Sequence, residues 1–106
     1  MRPPSRNKFG ARKTVVDGIR FDSAREARRY QELCLLEKTG QIQDLALQVP
    51  FIIEVGGKKI CTYRADFCYT EKGERIVEDV KGHRTREYIL KKKLTEAIYG
   101  IQIREI

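Results

Sequence analysis

Hydrophobic positions follow two patterns along this chain. Residues 41–82, QIQDLALQVPFIIEVGGKKICTYRADFCYTEKGERIVEDVKG, are rich in β-favouring residues and are broken twice, at Gly56-Gly57 and at Lys72-Gly73. That punctuation predicts two successive hairpins and hence three antiparallel strands. The second pattern is helical. DSAREARRYQELCLLEKTG offers Ser23 as N-cap with Glu26 three residues on, then helix formers as far as Gly40, which predicts a helix from about Ala24 to about Lys38. TREYILKKKLTEAIYG predicts a second helix, with Tyr88, Ile89, Leu94, Ala97 and Ile98 on its buried side and Gly100 as its stop. TVVDGIRF reads as a small hairpin around Asp17-Gly18, and IQIREI as a short final strand. After the small hairpin, the order is helix, three strands, helix, strand, an α/β chain.

Residues 1–13 hold five basic side chains, Arg12 and Lys13 among them, and no acidic ones, with Pro3, Pro4 and Gly10 opposing regular structure. We read them as a flexible basic arm and residues 14–106 as a single domain. The chain of 106 residues carries 22 Lys and Arg against 15 Asp and Glu, a formal charge of +7. Such an excess suits a polyanionic partner, and nucleic acid fits better than a membrane surface because no long basic amphipathic helix is present. No apolar run is long enough to span a bilayer and the first residues lack the apolar centre of a signal peptide, so a soluble, cytoplasmic protein is expected. Cys34, Cys61 and Cys68 show no metal-ligand spacing and His83 is the only histidine, which argues for free buried thiols and against a zinc site.

The hairpin arithmetic points to a site. With Lys72-Gly73 as a two-residue turn, facing residues have numbers that sum to 145, so Asp66 faces Asp79 and Arg64 faces Lys81. Two carboxylates and two cations then share one face of the sheet, and like charges placed opposite each other destabilise it unless something compensates. A divalent cation, Mg²⁺ or Mn²⁺, would do so for the aspartates. The alternative is an ordinary charge mosaic on an exposed face. The other hairpin, with a sum of 113, pairs Ile53 with Ile60 and Glu54 with Lys59, an unremarkable arrangement.

An acidic residue on a leading helix, an Asp on one strand and an acidic-x-Lys tripeptide on the next resemble the PD-(D/E)XK nuclease superfamily. More narrowly, FDSAREARRYQEL, LQVPF, YRADFCY and VEDVKG together resemble a family of small phage-encoded proteins assigned to it, and are similar to phage junction-resolving endonucleases. The resemblance implies a restriction-endonuclease-like core, αβββαβ, with a mixed sheet flanked by helices. It implies Asp66 and Asp79 as metal ligands, with the Val80 carbonyl as a main-chain ligand, Lys81 as the residue that positions the attacking water, and Glu26 as the helix glutamate completing the set. Ala65 stands where the superfamily name has proline. Gln48 matches a polar position near the site, and Glu78, alternating onto the opposite face, suits a salt bridge beneath the sheet.

Phosphodiester hydrolysis requires a nucleophilic water, relief of charge on the phosphate and help for the departing oxygen, and metal ions held by carboxylates supply all three. Arg64 is placed to hold the scissile phosphate. Arg84, Arg86, Lys91 and Lys92, with Arg12, Lys13 and His83, suggest a nucleic-acid-binding surface, although the three lysines at 91–93 span most of a helical turn and cannot all face one way. The expected activity is metal-dependent cleavage of DNA, branched DNA by analogy, by a homodimer working with phage replication or recombination partners. The alternatives are a noncatalytic nucleic-acid-binding module and a subunit active only within a larger complex.

Overall fold

The computed structural model describes residues 14–106; the basic arm, with Arg12 and Lys13, lies outside them. The protein is mixed α/β. A two-stranded ribbon, β1 (Thr14–Val16) and β2 (Ile19–Phe21), leads into α1 (Ala24–Lys38). Then come β3 (Gln43–Val55), β4 (Lys58–Glu71), β5 (Glu74–Asp79), α2 (Arg86–Tyr99) and β6 (Ile103–Glu105). The main sheet has the order β3-β4-β5-β6, antiparallel except where β6 runs parallel to β5. No helix among the described residues is long and apolar enough to cross a membrane.

Local chemistry accounts for most of these boundaries. The Ser23 side chain accepts from the Glu26 amide at the start of α1, and Gly100, in the left-handed region at φ 66°, ends α2. The hairpin turns at Asp17-Gly18, Gly56-Gly57 and Lys72-Gly73 all carry two successive positive φ values, the type I′ geometry whose twist matches that of the flanking strands.

The helices cover opposite faces of the sheet. On the α1 face, Phe67, Tyr69, Ile76 and Val80 pack with Ala27, Tyr30 and Leu33; on the α2 face, Cys68, Val77 and Ile103 pack with Tyr63, Ala65 and Tyr88. Midway along β3 and β4 the two strands switch faces. Leu47 and Phe67 belong to the α1 cluster, but Val49 and Ala65, two residues away on each strand, belong to the α2 cluster. Gln48, between them, has φ 53°, a left-handed conformation that breaks the regular pleat.

The structure corrects three expectations. The β4–β5 register keeps the sum of 145 from Glu71↔Glu74 to Phe67↔Glu78, but in the other hairpin only Glu54↔Lys59 and Val55↔Lys58 follow 113. A bulge then shifts the ladder, so Ile53 pairs with Cys61 instead of Ile60, and Ile60 is turned out to solvent. The inward side of α2 is Tyr88, Lys91 and Thr95, at helical spacing, whereas Ile89, Ala97 and Ile98 are exposed. Packing against Tyr63 sets that rotation, through the neighbouring rings of Tyr63 and Tyr88, 6.4 Å apart. Of the three free thiols only Cys68 is buried; Cys34 and Cys61 are partly exposed.

Candidate functional site

The interrupted step of the sheet brings together residues from three elements. Gln48 on β3 donates through its side-chain nitrogen to Glu26 Oε2 on α1 (3.2 Å) and to Asp66 Oδ1 on β4 (3.4 Å). Asp66 in turn is tied to β5 and the segment after it. Its amide donates to Asp79 Oδ1 (3.1 Å), and its Oδ2 accepts from the Val80 amide (2.9 Å). Tyr63, carried onto the α2 face, donates its hydroxyl to Asp79 Oδ2.

The expected meeting of Asp66 and Asp79 therefore occurs, but not as a pair of solvent-facing charges. Asp79 is 0% exposed and Asp66 is partly buried. Backbone amides and a tyrosine hydroxyl offset part of the like-charge cost that the sequence assigns to a cation. Arg64 does not sit over the carboxylates; it is exposed and lines a depression beside the first turn of α2, together with Lys81.

Burial dominates the electrostatics. It raises the pKa of Glu26, with the charge of Asp22 adding to it, and raises that of Asp66, where Glu26 adds. Asp79 is pushed up to about 6, first by burial and then by Asp66, against the Tyr63 hydrogen bond and Lys81, which lower it. Lys81 lowers all three carboxyls, which marks it as the cation they share, and its ammonium lies 4.8 Å from the centroid of the Tyr88 ring. Glu26 thus raises Asp66 and Asp66 raises Asp79, so burial and neighbouring carboxyls both disfavour the ionised forms, with Lys81 as the opposing cation.

Among the described residues, no three His, Cys, Asp or Glu side chains stand ready-made to hold a metal ion. The donor chemistry nonetheless suits a hard cation at one point. Glu26 and Asp66 each direct an oxygen at the same Gln48 nitrogen, so the two carboxyls already converge on one polar donor. Mg²⁺ characteristically uses one or two carboxylates and completes its shell with water and phosphate oxygens. Asp79 fits less directly, because both its oxygens already accept hydrogen bonds. Val80 reaches the site through its amide.

The remaining expected site residues divide between two environments. Arg84 and Lys92 pair with Glu105, at 2.8 and 3.6 Å, and Lys91 pairs with Glu87 at 3.0 Å. His83 and Arg86 are exposed around the start of α2. Glu78 lies on the α1 face, as its alternation requires, and receives Arg29 in a bidentate pair (2.8 Å for both bonds).

Two tyrosines at the site were not anticipated. Tyr63 holds Asp79, and Tyr88 donates to Glu105 Oε2 at 2.7 Å. Strand parity places Tyr63 on the opposite face from Asp66, so alternation argues against its role; only the interruption at Asp66 brings it to Asp79.

No curated protein and no solved structure matches this sequence. The profile of one family does match, over residues 6–105, nearly the whole length of the chain. The chain belongs to that family, described as protein of unknown function (DUF1064).

Proposed function

We propose that this protein is a metal-dependent nuclease of the restriction-endonuclease-like type, hydrolysing phosphodiester bonds in DNA. One observation carries the reading. Glu26 from α1, Asp66 from β4, and Asp79 and Lys81 from β5 and the segment after it are drawn together where the sheet switches faces between Ala65 and Phe67. Drawing two buried carboxyls and a partly buried one around a single lysine costs a sheet desolvation that a bound cation would offset.

In this reading Glu26 and Asp66 would hold Mg²⁺ or Mn²⁺, and Asp79 fixes Asp66 by accepting from its amide. The bound ion supplies charge neutralisation at the phosphate and a more acidic water. Lys81, felt by all three carboxyls, hydrogen-bonds the attacking water and orients it towards phosphorus. Water adds across the P–O bond, giving a phosphate monoester on one side of the cut and a hydroxyl on the other. Gln48 keeps the two carboxylates at a fixed separation. Branched DNA as substrate and a homodimer as the working form extend the resemblance set out above. The surplus positive charge supports sequence-tolerant, salt-sensitive binding.

The full burial of Asp79 and the engagement of both its oxygens favour a second reading, a nucleic-acid-binding module in which the carboxyls are structural. Incubation of purified protein with four-way-junction, flap, single-stranded and linear duplex DNA, in Mg²⁺, Mn²⁺ or EDTA, separates the two. The nuclease reading expects metal-dependent cutting that Asp66→Asn reduces at least a hundredfold. Binding without cutting, unaltered by Asp66→Asn, supports the second reading and rejects the first.

A further inference from the structure

Beside the acidic centre lies a depression of about 360 Å³ between β4 and the first turns of α2. Arg64, Lys81 and Lys91 line it, with Glu87 as the one carboxylate and the hydroxyl residues Thr62 and Thr85 on its walls. Glu87 is paired with Lys91, so the depression carries a net excess of two positive charges. Among the described residues the Arg64 side chain has no hydrogen bond or ion pair, and its guanidinium offers a planar fork suited to an oxyanion. Lys81 is held over the Tyr88 ring and is thereby positioned on the wall it shares with the carboxyls.

Two features separate this place from the acidic centre while keeping it adjacent. None of Glu26, Asp66 and Asp79 lines the depression, so an anion held by Arg64 and Lys91 sits apart from those carboxyls. Tyr63 and Lys81 belong to both, since Tyr63 lines the depression and bonds Asp79 while Lys81 lines it and acts on all three carboxyls. A larger depression, of about 600 Å³, is lined by Glu74, Arg75 and residues 100–104, away from this chemistry.

We propose that the depression is a second phosphate subsite, which grips the backbone of the bound strand at a phosphate next to the one hydrolysed. The assignment of the strand as substrate rests on the nuclease reading; the subsite itself requires only that the protein binds nucleic acid. Its function is to fix the register of the strand, so that the neighbouring phosphodiester lies over Glu26 and Asp66. An acidic peptide would find the same cations but would not exploit their spacing beside a second anion-handling centre.

Fluorescence anisotropy with a labelled single-stranded oligonucleotide, in EDTA and across a salt series, tests this without reference to cutting. Arg64→Gln and Lys91→Gln should each weaken binding and flatten the slope of log Kd against log salt by about 0.7. Lys93→Gln, an exposed lysine on the same helix, serves as the control and should leave the slope unchanged. Slopes for Arg64→Gln and Lys91→Gln equal to that of Lys93→Gln, or no binding of the oligonucleotide by the parent protein, overturn the subsite. Competition by poly-glutamate as effective as by unlabelled oligonucleotide overturns its phosphate character. A protein that binds through Arg64 and Lys91 yet cuts nothing keeps the subsite and loses the nuclease reading; cutting with unaltered slopes does the reverse.

Discussion

Arg29 and Glu78 form an ion pair whose loss should affect the fold more than any single surface contact. The Glu78 side chain is 0% exposed and accepts from Arg29 Nε and a terminal guanidinium nitrogen at 2.8 Å each, and from the Tyr69 hydroxyl at 2.5 Å. Arg29 is 20% exposed and also reaches Glu32 at 3.0 Å. The partners are therefore unequal. Replacing Arg29 by Met strands a carboxylate in the α1 face of the sheet with only the tyrosine to serve it, and an uncompensated buried charge of this kind costs about 3–5 kcal/mol. Replacing Glu78 by Gln leaves a guanidinium that still has Glu32 and water, so a cost of about 1–3 kcal/mol is expected. The double variant Arg29→Met with Glu78→Leu removes both charges and fills their space, and should recover most of the loss, because buried pairs are often close to neutral against apolar replacements. Urea titration followed by circular dichroism measures all three, and thermal melting should register roughly 4–8 °C per kcal/mol for a domain of this size. A cost below about 1 kcal/mol for Arg29→Met, or a double variant no more stable than Arg29→Met, would refute the reasoning.

The acidic centre makes stability depend on pH in a direction opposite to that of ordinary paired carboxylates. Asp79 is pushed up from 3.8 to about 6, so in EDTA its contribution is fully present below pH 4 and disappears as pH rises to 7, a difference on the order of 3 kcal/mol. Urea midpoints compared between parent and Asp79→Asn across that window should show the steeper decline in the parent, since Glu26 and Asp66, also raised, remain in both, and parallel profiles would contradict the burial argument. Glu105, lowered chiefly by the Tyr88 hydroxyl, has the opposite sign, its contribution being lost as pH falls below its ordinary 4.5, so it touches only the acid edge of the window. At the β4–β5 turn, Gly73 has φ 81°, and a Cβ there meets nothing within 4 Å, so Gly73→Ala tests backbone conformation alone. It should destabilise by about 1–2 kcal/mol in the same titration, and an unchanged midpoint would mean that the turn relaxes to another type.

What the sequence determined by itself is what local chemistry controls. The Asp17-Gly18, Gly56-Gly57 and Lys72-Gly73 turns, the Ser23 cap and the Gly100 stop could be read directly, because each depends on the conformational preference of a few adjacent residues. The β4–β5 register and the opposite faces of Glu78 and Asp79 also followed, since a two-residue turn fixes pairing as far as the pleat stays regular. Tertiary structure decided the rest at the points where regularity ends. The bulge that exposes Ile60, the left-handed Gln48 and the switch of face between Ala65 and Phe67 answer to the twist of a long hairpin packed between two helices. The face of α2 likewise turns on what it lies against, which is why Thr95 is buried and Ile98 is exposed. Tyr63 meets Asp79 because of that switch, and parity alone would have kept them apart. Periodicity is a property of neighbouring residues, whereas an interruption of it is stabilised by contacts from distant parts of the chain, and the acidic centre is built on such an interruption.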